Sequence, residues 1–206
     1  MKLNKKIFII GIMIIVIIIF FITFFIKSNY KKINIGDNMS NKTLDECKEY
    51  IYNISSYEAT AEVTIKSNKN ENRYLVKQKC INDMYLQEII EPENVKGVKI
   101  TYQNNSLTIE NTKLRLKKIY EDYPYISENI LFLNDFITQY KQNENNSKIE
   151  KDNENITVTI KTDNKYKAEE KLYINSSTGL PTKLIVQDNN QKEIIYILYN
   201  EIKLNN

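Results

Sequence analysis

The chain contains no histidine, no tryptophan, four glycines and two cysteines among its 206 residues. Without histidine, the commonest general base and the commonest transition-metal ligand are both missing. Two cysteines alone do not complete a tetrahedral zinc site, and four glycines leave no glycine-rich loop that could hold phosphate groups. We therefore expect no catalytic residue, no cofactor and no metal, and we interpret the chain as a protein that is not an enzyme.

Charged side chains are absent from residues 7–26, which run from Ile7 to Ile26 and consist mainly of isoleucine and phenylalanine. A helix of about 20 apolar residues is long enough to cross the hydrocarbon core of a bilayer. The first alanine is Ala59 and the first cysteine is Cys47, so neither a small-residue cleavage site nor a lipid-accepting cysteine follows the run. We expect a retained anchor that spans the membrane once.

The lysines near the anchor lie on both sides of it and therefore give only a weak preference for orientation. The tail of residues 1–6 is short enough to remain in the cytoplasm, which places the rest of the chain on the extracytoplasmic side of the cell membrane. The formal net charge of the whole chain is +3. Because lysines flanking the anchor supply this excess, the remainder has no general attraction for nucleic acid, and we expect no nucleic-acid partner.

Residues 27–42 are polar and are predicted to be a linker, followed by one domain over residues 43–206. Thr43 and Glu46 fit a capping box at the start of a first amphipathic helix. A second helix is predicted from Ser127 to Tyr140, and a charged loop over residues 141–155. Alternation of apolar and polar residues predicts strands in the rest of the domain. The predicted strands are 57–65, 73–81, 84–91, 98–103, 107–110, 113–119, 156–161, 165–175, 182–188 and 193–204.

This order predicts a mainly β member of the α+β class, in which a curved antiparallel sheet forms an incomplete barrel covered by two helices and preceded by the transmembrane helix. Leu133, Phe136 and Ile137 are the candidate covering positions of the second helix. The candidate residues of the concave face are Val63, Ile65, Val76, Leu86, Ile100, Leu107 and Ile109. These residues either form a filled core or line a cavity for a lipid or a peptide, and both alternatives stay open.

Two further features leave alternatives open. Lys113, Arg115 and Lys117 are predicted to share one face of a strand, either as a basic surface for anionic lipid or a cell-wall polymer, or as an ordinary solvated edge. Cys47 and Cys80 are either bridged by a disulfide or free and buried.

Several segments resemble a known family. The stretch from Met84 to Pro92 followed by Gly97 to Gln103, the stretch from Leu172 to Leu184, and the closing segment from Tyr199 to Ile202 are similar to LolA/LolB-like extracytoplasmic domains. Within that family the chain most resembles the clostridial germination protein GerS and its relatives. The resemblance implies a curved half-barrel, and a non-catalytic role in supporting a peptidoglycan amidase of the spore cortex. Binding of a lipid or a peptide is the alternative role.

Overall fold

The computed structural model describes residues 38–81, 84–122 and 132–205, all within the unit Asn34–Asn206. The predicted tail and anchor, residues 1–26, and most of the predicted linker lie outside the described residues. Among the helices formed by the described residues, none is long and apolar enough to span a bilayer.

One antiparallel sheet of eleven strands, in the order β6-β5-β4-β3-β2-β1-β11-β10-β9-β8-β7, dominates the fold. The strands are β1 (Ser56–Lys66), β2 (Glu71–Ile81), β3 (Met84–Glu91), β4 (Val98–Gln103), β5 (Ser106–Asn111), β6 (Leu116–Tyr120), β7 (Ser147–Lys151), β8 (Asn155–Lys161), β9 (Glu169–Asn175), β10 (Pro181–Gln187) and β11 (Glu193–Asn205). Because β1 pairs with β11, the first and last strands join two meanders in the middle of the sheet. This confirms the predicted antiparallel sheet with two helices.

Helix α1 (Leu44–Tyr52) begins with the predicted capping box. The side chain of Thr43 accepts a hydrogen bond from the backbone N–H of Glu46, and Glu46 Oε2 accepts one from the backbone N–H of Thr43 at 2.7 Å. The two residues thus satisfy two backbone donors that a helix start otherwise leaves unpaired.

The core lies on one side of the sheet, which we call the inner face, together with α1 and α2 (Leu133–Gln142). Alternate residues of each strand point to this face because side chains on a strand alternate with period two. On β1 these are Tyr57, Ala59, Ala61 and Val63, all buried. The other side of the sheet, the outer face, carries mostly charged and polar side chains. Cys47 and Cys80 are both buried, and no disulfide joins them.

The domain begins earlier than the predicted boundary at residue 43. Met39 is fully buried in the core, and its backbone N–H donates to the carbonyl oxygen of Ser176 at 2.7 Å. Lys151 Nζ donates to the carbonyl oxygens of Met39 and Lys42 at 2.8 and 2.7 Å. Residues 38–42, assigned to the linker from their polarity, therefore form a strap that is part of the domain.

Four element predictions need correction. The predicted strand over residues 165–175 begins only at Glu169, because residues 165–168 form a turn. The predicted loop over residues 141–155 contains a short 3₁₀ helix, Glu144–Asn146, and the strand β7. This strand has a single apolar residue, Ile149, so its sequence shows no alternation of apolar and polar residues. The predicted strand over residues 113–119 begins only at Leu116, because Arg115 has a positive φ of 53° in the preceding turn. Helix α2 begins at Leu133 with Phe132 as N-cap, whereas the predicted cap Ser127 lies outside the described residues.

The turn between β3 and β4 depends on Gly97. Its φ is +81°, and a Cβ at this position would lie 2.8 Å from Thr112 Oγ1. That hydroxyl donates a hydrogen bond to the carbonyl oxygen of Gly97 at 3.1 Å. A side chain at position 97 would therefore meet both backbone strain and a steric clash.

Candidate functional site

The predicted concave residues occupy different environments. Val63 and Val76 are buried in the core at 3 % and 1 % exposure. Ile100, Leu107 and Ile109 lie on the inner face of β4 and β5 and are only half-buried, with Ile100 paired to Ile109 in the register. The inner face is therefore closed over the middle of the sheet and more open towards β5.

Two further residues of that predicted set, Leu86 and Ile65, are also not part of the closed core. Leu86 is the register partner of Lys79, whereas its neighbour Tyr85 is the partner of the buried Cys80, so Leu86 points to the outer face. Ile65 shares the inner face with Val63 but lies near the end of β1 and is 37 % exposed.

Helix α2 covers the middle of the inner face. Leu133, Phe136 and Ile137 are buried at 0 %, 1 % and 3 % exposure, and Tyr140 is buried with them. At the start of the helix, the Phe132 ring lies 5.3 Å from the Tyr85 ring. The helix thus turns one apolar stripe towards the sheet, as its spacing of three and four residues requires.

A chain of hydrogen bonds joins this helix to the sheet. The Tyr57 hydroxyl accepts from the backbone N–H of Leu133 at 3.1 Å and donates to Gln78 Oε1 at 3.1 Å. Gln78 Nε2 donates to Gln87 Oε1 at 3.0 Å. Burial raises the pKa of the Tyr57 hydroxyl well above its ordinary value, so the hydroxyl keeps its proton and serves both bonds.

Two carboxyl groups lie at the interface between α2 and the sheet, one on the helix (Asp135) and one on β9 (Glu170). The pKa of Asp135, on α2, is raised to about 7, mainly by burial, with Lys167 opposing the shift and Glu170 of β9 adding to it. Burial also raises the pKa of Glu170, against the effects of Lys167 and of a hydrogen bond with Gln139. Asp135 Oδ2 and Glu170 Oε1 are buried and have no hydrogen-bond partner among the residues that the structure describes. These oxygens are costly to bury when ionised, so the interface favours protonated carboxyl groups.

These polar inner-face residues were not predicted from the sequence, although they interrupt the apolar alternation of their strands. Glu170 has the same strand parity as Leu172 and Ile174, and Gln78 has the same parity as Val76 and Cys80. A polar residue in an otherwise apolar alternation indicates either a buried polar group or a functional position.

A groove of about 360 Å³ lies on the outer face, over β11, β1, β2 and β3. Leu86 is the one member of the predicted concave set that borders it, and the other side chains around it are mostly charged. They include Glu58, Lys77, Lys79, Glu88, Glu201 and Lys203. Lys79 and Glu58 form an ion pair across this groove.

The predicted basic surface does not form one strand face. Lys113 and Arg115 lie in the turn between β5 and β6, where Lys113 Nζ forms an ion pair with Glu93 at 2.5 Å. Lys117 lies on β6 opposite Glu110 of β5. In the parts of the chain that the structure describes, no three His, Cys, Asp or Glu residues come together as a metal site.

The model of the protein family described as "Sporulation protein YdcC-like" matches residues 5–206 of the chain. The chain belongs to the YdcC-like sporulation protein family. Among curated proteins, none has significant sequence similarity to this YdcC-like chain.

Solved structures are similar to the same domain. A chain in the structure of the CwlD amidase from Clostridioides difficile in complex with the GerS lipoprotein matches with a TM-score of 0.50 and 27 % identity, over 77 % of this chain and 91 % of that one. An uncharacterized conserved protein from Thermus thermophilus matches with a TM-score of 0.51 and 11 % identity, over 80 % and 89 % of the two chains. The LolA superfamily protein NE2245 from Nitrosomonas europaea matches with a TM-score of 0.40 and 11 % identity, over 80 % and 94 %. The predicted resemblance to GerS and its relatives is confirmed.

Proposed function

We propose that this YdcC-like chain is a membrane-anchored accessory protein that binds and supports a cell-wall amidase during spore formation or germination. The observation that carries the proposal is the 27 % identity to a structure in which GerS is in complex with the amidase CwlD, over 77 % of this chain. Membership in a sporulation protein family supports the same setting.

The chemistry of the chain agrees with a binding role. No histidine is available as a general base or metal ligand. Tyr57, Gln78 and Gln87 bond to one another and to the start of α2, as in a packed helix–sheet interface. Such a domain supplies a surface to a partner, whereas catalysis would stay with the amidase.

Capture of the amidase tests this proposal. Full-length protein in detergent micelles is mixed with the cell-wall amidase of the same organism, and the complex is followed by size-exclusion chromatography. We expect co-elution with the amidase and none with an unrelated zinc hydrolase of similar size. Separate elution of the two proteins would rule out the proposed function.

The proposal includes a location on the extracytoplasmic side of the membrane, held by residues 7–26. A single cysteine introduced as Asn190→Cys is exposed in the turn between β10 and β11, while the two native cysteines are buried and remain a low background. Labelling of intact cells by a membrane-impermeant thiol reagent is the expected result. Labelling only after lysis would place the domain in the cytoplasm.

Lipid or peptide binding on the inner face is the second candidate function. It is favoured by the half-buried Ile100, Leu107 and Ile109, because the residues that the structure describes leave this part of the inner face incompletely covered. Native mass spectrometry separates the two functions. A lipid that co-purifies reproducibly would favour the carrier function, and a mass of the protein alone would favour the accessory function.

A further inference from the structure

The two edges of the sheet carry different kinds of side chains. At β7 the exposed residues are Lys148 and Glu150, which form an ion pair at 2.6 Å, and the single large apolar residue, Ile149, packs against the core. Helix α1 also contacts this strand. Charged residues and a covering helix are the usual protection of an edge strand against pairing with other chains.

The β6 edge has the opposite character. Leu114 is 65 %, Leu116 is 62 % and Ile119 is 52 % exposed, so half of the six exposed large hydrophobic residues of the described chain lie in a stretch of six residues. Single exposed apolar residues are ordinary, but a cluster at an open strand edge is typical of an interaction surface. Among the described strands, β6 pairs only with β5.

The same edge is basic. Residues 111–120 contain four basic residues, Lys113, Arg115, Lys117 and Lys118, and no acidic one, between Glu110 on β5 and Glu121 after the end of β6. Lys113 is paired with Glu93, and Lys118 lies 4.7 Å from the centre of the Tyr120 ring. Arg115 has no ion pair with any residue that the structure describes. An acidic partner could therefore pair with the positive charge of Arg115 and contact the exposed apolar residues beside it.

We propose that β6 is a docking edge that takes an extended, acidic segment of a partner protein as an additional strand of the sheet. Main-chain hydrogen bonds along the open edge would hold the segment, and alternate side chains would give selectivity. Leu116 lies on the inner face and Ile119 on the outer face, because strand parity separates them. A strand added in the plane of the sheet meets both residues, whereas a flat membrane surface meets one face at a time.

This inference deepens the proposed function and rests on it for the identity of the partner, the amidase. The surface and the acidic, extended character of the segment follow from the edge itself. The experiments below therefore use a model peptide as well as the amidase.

Hydrogen exchange of full-length protein in detergent micelles is measured with an acidic peptide of alternating glutamate and valine. We expect slower exchange of the backbone amides of Leu116–Tyr120, unchanged exchange in β7, and no effect of a peptide of alternating lysine and valine. The double variant Leu116→Glu, Ile119→Glu changes only exposed positions and should weaken peptide binding at least about tenfold, which corresponds to about 1.4 kcal/mol. Lys148→Glu on β7 is the matched control and should bind as the parent does.

The outcomes separate the edge from the proposed function. Protection of β6 by the acidic peptide without amidase capture would leave the edge proposal standing and remove the proposed function. Amidase capture that the double variant leaves unchanged would overturn the edge proposal alone. Absence of peptide protection at β6 would also overturn it, and protection by nanodiscs of phosphatidylglycerol instead would assign the edge to lipid.

Discussion

The hydroxyl of Tyr57 on β1 accepts a hydrogen bond of 3.1 Å from the backbone N–H of Leu133, the first residue of α2. This bond satisfies one of the N–H groups that a helix start leaves unpaired, and Phe132 at the N-cap provides no side-chain bond to do so. The sheet therefore takes over the capping function that a serine or aspartate usually performs.

Replacing Tyr57 by phenylalanine should destabilise the domain by about 1–3 kcal/mol, because the buried partners Leu133 N–H and Gln78 Oε1 both lose their hydrogen bond to this hydroxyl. Thermal unfolding measures the effect. Tyr102→Phe is the control, since its hydroxyl bonds to exposed Asn105 and should be nearly neutral. Equal melting temperatures of the two variants would contradict a capping role of Tyr57.

Stability should fall as pH rises through neutrality because of Asp135. Its pKa is raised from 3.8 to about 7 in the folded chain, so the folded state binds the proton more tightly than the unfolded state. The contribution of Asp135 to stability is therefore fully present below pH 3.8 and is lost as pH rises through about 7. We expect a loss on the order of 1–3 kcal/mol, since Asp135 is partly exposed and Lys167 lies nearby.

Denaturant unfolding at a series of pH values checks this expectation. Asp135→Asn should flatten the dependence, and a second substitution, Glu170→Gln, should remove most of what remains, because burial raises the pKa of Glu170 as well. Parallel pH profiles for the parent and Asp135→Asn would show that Asp135 does not control the stability.

The sequence predicted the elements with clear periodicity and failed where the pattern was weak. The alternation on β1 reflects burial of one face, the capping box of α1 reflects local hydrogen bonding at a helix start, and the structure has both elements. In β3, by contrast, Met84, Tyr85 and Leu86 are all apolar, so the sequence leaves the inward parity undetermined. Only the pairing of Tyr85 with Cys80 shows that Leu86 faces outward.

The candidate surfaces were harder to predict than the strands. Sequence patterns identify strands but do not determine strand order, so they did not indicate that β6 and β7 are the edges of the sheet. The sequence predicts an unbroken strand over residues 113–119, yet Arg115 adopts a positive φ and the strand starts at Leu116. The position of β6 at an edge depends on long-range pairing, because β11 pairs with β1 in the middle of the sheet and not with β6.

Phe136→Ala should cost about 3–5 kcal/mol, a large part of the roughly 5–15 kcal/mol that is typical of a domain. Phe136 is 1 % exposed and packs between α2 and the sheet, so its loss leaves a cavity. Thr138→Ala on the exposed side of the same helix is the matched control. If denaturant unfolding finds both variants within about 0.5 kcal/mol of the parent, α2 does not contribute to the core as described.

Lys151 holds the strap of residues 38–42 in place, and its removal should release that strap before the rest of the domain unfolds. Lys151→Met keeps an apolar side chain of similar length but loses the two hydrogen bonds to the carbonyl oxygens of Met39 and Lys42. Hydrogen exchange should show faster exchange of the Met39 amide, which donates to Ser176, while β1 and β11 remain protected. Lys148→Met on the same strand is the control, because exposed Glu150 is the one described residue with which Lys148 forms an ion pair. Unchanged exchange at Met39 in Lys151→Met would mean that burial of the Met39 side chain alone fixes the strap.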